Sequence, residues 1–200
     1  MTQTQMHDIV VLGATPAGLA AAYYLARKKY DVAVVDSPHQ SIECPLTDWV
    51  PKPFFQMAGL PGGLGKLAKA EAFSNVCYHN ATFTSTVQYK SRADAGHFVH
   101  VPALIKAMRA AASKAGAKIR ISTTWPAIHL DEDHVEILGS RRVRGRMLII
   151  AQNRPNDMLS ELSIPLRTVP SGSLLVSGLD VPIGRRRASR RLQPMRDISP

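Results

Sequence analysis

The chain has 200 residues, 45% hydrophobic and 20% charged. That composition suits one globular domain able to bury a core without disulfides or metal, and excludes a chain disordered throughout. The two cysteines, Cys44 and Cys77, are too few for a secreted disulfide framework, and the net charge of +10 is uneven: residues 1–140 carry 13 Lys+Arg against 11 Asp+Glu, whereas residues 141–200 carry 12 cations, all Arg, against 4 acids. With no apolar run of membrane-spanning length and no basic-then-apolar leader at the start, a cytoplasmic location is expected.

Ile9-Val-Val-Leu12 is an uninterrupted apolar run ending at Gly13, the pattern of a strand buried on both faces of a parallel sheet. Pro16 suits the first turn of a helix, which the apolar positions carry to about Lys29, and Val32-Ala-Val-Val35 is the next strand, stopped by Asp36. Residues 37 to about 65 are rich in Pro and Gly, and 37–97 as a whole reads as an irregular insertion, with one β-branched stretch, Thr82 to Tyr89, predicted as a strand. Phe98 to Val101 is another short strand. Pro102 then opens a helix with Leu104, Ile105, Met108 and Ala112 on one face and Gly116 as its stop.

Lys118 to Thr123 is predicted as a strand, Ala127–Leu130 and His134–Leu138 as a hairpin turning at Asp131-Glu-Asp133, and Val143–Ala151 as a strand rejoining the parallel sheet. The pattern then weakens. Residues 154–184 read as a weakly structured remnant, and 185–200, with six Arg and little to bury, as a basic disordered tail.

The constellation that carries chemistry is Gly13-Ala14-Thr15-Pro16-Ala17-Gly18 between a strand and a helix, with Asp36 ending the next strand. Gly13 permits a tight turn, Gly18 lets helix and strand approach, and the helix start offers amides and a positive dipole to a pyrophosphate. A carboxylate at Asp36 accepts hydrogen bonds from an adenosine ribose and repels a 2′-phosphate. Thr15 stands at the middle glycine of the fingerprint, so its side chain is expected either to fill pyrophosphate space or to turn its hydroxyl toward a phosphate. These residues place the chain in an α/β class, with a Rossmann-like FAD/NAD(P)-binding domain over residues 1–153.

The stretch from Asp8 to Ala22, with Asp36, resembles the N-terminus of FAD-dependent oxidoreductases of the glutathione-reductase-like superfamily. The Pro-Ala-Gly-Leu-Ala-Ala form is similar to the flavoprotein monooxygenase and geranylgeranyl-reductase branch. Phe98 to Ile119 resembles that branch's helix before its third core strand, and residues 127–151 its β-meander and return strand. The resemblance implies FAD, with NAD the less favoured cofactor, held by Gly13, Ala14, Thr15, Pro16, Ala17, Gly18 and Asp36, with Ala151 to Asn153 passing near the flavin end. It implies redox chemistry carried by the flavin and names no catalytic side chain. Departures are Thr15, Lys29 where a glycine commonly closes the first helix, and Ala151-Gln152-Asn153 in place of Ala-Asp-Gly. No counterpart of the family's second FAD-contacting Gly-Asp segment occurs in 154–200, so the resemblance implies a truncated member. The alternative reading is a non-catalytic Rossmann homologue that acts as a binding module and needs a partner chain over its exposed core.

Other chemistry is set aside. Cys44 has Trp49 where a redox partner would stand, and Cys77 reads as a small buried hydrophobe. The seven His lack metal spacing. His97 and His100 are read as strand surface rather than site, and Trp49, Phe54 and Phe55 as loop anchors. The clusters at Arg141–Arg146 and Arg185–Arg191 sit in no nucleic-acid module, so nucleic-acid binding is disfavoured, and the substrate or redox partner stays unnamed.

Overall fold

The apolar run Ile9–Leu12 forms the second half of β1 (Met6–Leu12) and is buried throughout, with both of its edges paired to apolar stretches of neighbouring strands. On one side β1 pairs in parallel with β2 (Val32–Asp36), which pairs in parallel with β8 (Lys118–Ile121). On the other side it pairs in parallel with β11 (Val143–Ile150), Met6 opposite Arg144 and Leu12 opposite Ile150. Two antiparallel strands, β10 (Val135–Leu138) and β9 (Ala127–Leu130), complete the order β8-β2-β1-β11-β10-β9. A computed structural model describes residues 5–36, 47–57, 59–80, 82, 84–123, 127–152 and 162, all within the first of two compact units, residues 1–170.

One face of the parallel strands is covered by α1 (Pro16–Arg27) and α3 (Val101–Ala115). Leu19, Ala22 and Ala26 of α1 meet Leu104, Met108 and Ala112 of α3 in a cluster with Ile9, Val11, Val32 and Val34. The small alanines let the helices and sheet approach closely, and each large buried side chain contributes about 1.5–3 kcal/mol. On the other face Val10, Leu12, Ala33 and Val35 pack with Val135, Ile137 and Val143 from the meander. The turn after β10 reaches beyond β8, where the Ser140 amide donates to Ser122 Oγ at 3.2 Å, so the sheet folds back on itself along β11. Gly145 marks the fold: a Cβ there would lie 2.6 Å from Val10 Cγ2.

The predicted helices, β1, β2 and the 127–138 hairpin occupy their expected places. The expectation of irregular structure between residues 37 and 97 needs correction. Residues 37–46 lie outside the described residues, but beyond them stand β3 (Thr47–Pro51), a short 3-10 helix (Lys52–Gln56), α2 (Leu64–Leu67), β4 (Glu71–Phe73), β5 (Asn75–His79) and β6 (Thr86–Lys90). Strands β3 and β4 flank β7 (Gly96–His100) in an antiparallel sheet, and β5 and β6 form a separate ribbon. The prolines mark boundaries here: Pro51 closes an edge strand and Pro53 opens the 3-10 helix, positions that need no donor. Cys77 is exposed on β5, because a two-stranded ribbon has no second layer to bury it. The readings of 154–184 and 185–200 lie outside the described residues, apart from residue 162, as does Cys44.

Candidate functional site

The four parallel strands end along one edge of the sheet. From β1 the chain crosses through α1 to β2 on one side, and β11 returns parallel to β1 on the other, so the end of β1 is the point at which the chain switches direction across the sheet.

Gly13 begins the turn there with φ +104°, a conformation a side chain would strain, and its amide continues the ladder to the Val35 carbonyl at 2.8 Å. A Cβ on Gly13 would lie 2.6 Å from the Ala151 carbonyl oxygen and one on Gly18 would collide with the Gly13 carbonyl, so both glycines are required by close backbone approach. Ala151 is locked to β1 by its own amide, which donates to the Leu12 carbonyl at 2.8 Å.

Thr15 is the N-cap of α1. Its hydroxyl accepts from the Gly18 amide at 3.2 Å and donates to the Ala151 carbonyl at 2.7 Å, and its φ of −68° needs no glycine. Neither fate expected from the sequence applies, since the buried hydroxyl serves the protein itself. With Pro16 at the first helical position and the Leu19 amide bonded to the Thr15 carbonyl, the exposed Ala17 lies at the outward start of the helix, where the dipole favours an anion.

Asp36 closes the other end. Its Oδ1 accepts from the buried Ala14 amide at 3.1 Å, which ties the end of β2 to the glycine turn. Its Oδ2 accepts from Arg109 Nη2 at 2.7 Å. Gln152, beside Gly13, is 8% exposed, and neither its amide nitrogen nor its amide oxygen has a partner among the described residues. Thus Gly13, Ala14, Thr15, Pro16, Ala17, Gly18, Asp36 and Ala151 lie together at this end of the sheet.

Sequence reasoning missed Arg109 there, which looks like any basic residue of an amphipathic helix, and had Gln152 only as part of the Ala151–Asn153 segment. His100 lies elsewhere as the N-cap of α3, its Nδ1 accepting from the Ala103 amide at 3.2 Å, and His97 packs edge-on against Phe55. Phe54 and Phe55 pack on the helix-side core as anchors, while Trp49 is exposed against Phe73. Arg142 and Arg144 pair with Glu136. Among the described residues no His/Cys/Asp/Glu group could hold a metal ion, and no helix is long and apolar enough to cross a membrane.

A parallel sheet with a glycine turn, a helix start and a strand-ending acid at its switch point defines a Rossmann-type FAD/NAD-binding domain. Residues 7–152 match the pyridine nucleotide-disulphide oxidoreductase family, and the chain belongs to that family. The fold is similar to a geranylgeranyl bacteriochlorophyll reductase-like protein from Thermoplasma acidophilum, at 17% identity and TM-score 0.60 over 75% of this chain and 40% of that one. Halogenase PltM, solved with phloroglucinol and FAD, matches at 17% identity and TM-score 0.61 over 78% of this chain and 36% of that one. NikD, an amino acid oxidase, matches at 16% and 0.57 over 80% of this chain and 55% of that one. The chain therefore spans about half or less of these solved chains. No curated protein sequence matches it.

Proposed function

We propose that the chain is the FAD-binding portion, residues 1–153, of a flavin-dependent oxidoreductase of the monooxygenase-like type, working in the cytoplasm. The observation that carries this reading is the amide of Gln152, buried beside the glycine turn without a partner among the described residues. Such a group is costly unless a bound polar ligand satisfies it. The other residues fit the same ligand. The Gly13–Gly18 turn and the start of α1 would receive the pyrophosphate, Asp36 the adenosine ribose, and the Ala151–Gln152 segment the flavin side. Bound flavin would supply hydride or oxygen chemistry, and the protein would orient it and exclude water. FAD is favoured over NAD by the flavoenzymes that share this fold.

Purified protein is expected to show flavin absorption, or to gain it when FAD is added. Asp36→Ala is expected to weaken FAD binding by about 1–3 kcal/mol in titration calorimetry, the loss of charged hydrogen bonds. A chain that takes up no FAD refutes the reading.

The second reading is a non-catalytic binding module. It is favoured by the exposed Met147 of β11 and Ile121 of β8, at 64% and 57% exposure, which a partner chain would cover. A monodisperse monomer with tightly bound FAD in size-exclusion chromatography contradicts it.

A further inference from the structure

An unpaired Asp36 would present one negative charge to an adenosine ribose and reject a 2′-phosphate. It is paired instead. Arg109 reaches it from the middle of α3, Nη2 to Oδ2 at 2.7 Å, while the Ala14 amide holds Oδ1. The neighbours Met108 and Ala112 are buried against the core, so the helix carries Arg109 at a fixed position beside the end of β2. The Arg109 side chain is 33% exposed and gives Asp36 a single Nη2 contact, so the fork has donor capacity beyond what Asp36 uses.

We propose that Arg109 is a specificity-determining residue of the adenosine end: it cancels the charge of Asp36 and offers donors to an anion, so that the site accepts adenosine with a 2′-phosphate as readily as with a free 2′-hydroxyl. This rests on the dinucleotide-binding reading above. It reverses the preference that Asp36 alone implies. The ligand class is the ADP-ribosyl end of a dinucleotide, recognised through ribose hydroxyls by Asp36 and through a 2′-phosphate by Arg109.

The test is calorimetric titration of the whole chain with ADP-ribose and 2′-phospho-ADP-ribose, which differ only in the 2′-phosphate, with FAD uptake followed by absorption in the same preparation. The parent is expected to bind the two within about threefold of each other, and Arg109→Met to prefer ADP-ribose by about tenfold or more, because the carboxylate is left uncompensated. Asp36→Asn is expected to shift the ratio the opposite way, and it reads the same charge balance if Arg109→Met does not fold. A ratio unchanged in both variants overturns the inference, as does a parent that already rejects the 2′-phosphate by more than about tenfold. Uptake of FAD with binding of neither probe also overturns it. A chain that takes up none of the three ligands refutes the dinucleotide reading itself, and this inference with it.

Discussion

At the scale of single residues, the fingerprint was legible where it concerns backbone and illegible where it concerns side-chain partners. Gly13 and Gly18 can be read from sequence because a turn between a buried strand and a helix leaves no room for Cβ, whichever fold surrounds it. Arg109 cannot, because its role arises only when α3 packs so that its middle faces the end of β2, 73 residues earlier. Thr15 lies between these cases. Its place in the motif is visible, but the carbonyl that accepts its hydroxyl belongs to Ala151, brought in by β11. Thr15→Ala removes both the cap and this tie, and is expected to lower the free energy of unfolding by about 0.5–2 kcal/mol in a urea titration, with Thr15→Ser retaining most of it.

Among the elements, those with strong periodicity or uniform burial were readable, whereas β3, β4 and β5 were not. They are short and mostly exposed, so neither alternation nor an apolar run announces them. The end of α1 shows how a departure from a pattern becomes a physical statement. Lys29, just past the helix, has φ +72°, the left-handed conformation that glycine adopts without strain. Lys29→Gly is therefore expected to raise stability by about 0.5–1 kcal/mol, the relief of strain exceeding the added freedom of the unfolded chain. An unchanged or lower midpoint in chemical denaturation would contradict this account.

For the molecule as a whole, two carboxylates link the fold to pH. The hydrogen bond from Arg144, with the charge of Arg142, holds the Glu136 carboxyl below its ordinary value of 4.5 despite desolvation. Burial pushes the Asp31 carboxyl up, but Lys118 and His7 outweigh it and hold the group below its ordinary 3.8. A depressed carboxyl contributes stability that is full above its unfolded value and disappears as pH falls through its folded value. The melting temperature is thus expected to hold between about pH 6 and pH 5 and to fall on further acidification. The gap between parent and Glu136→Gln should narrow as pH drops below 4.5. A gap that widens in acid would show that Glu136 does not carry this dependence.

The pairing of β1 with β11 governs the order in which the protein can be made. Met6 finds its ladder partner at Arg144, so on a ribosome the first strand emerges long before the strand that covers its second edge. During that interval Ile9-Val-Val-Leu12 presents an apolar edge with free amides and carbonyls, the kind of surface that recruits other strands. The ladder of β1 is thus completed only once residues 143–150 have been made.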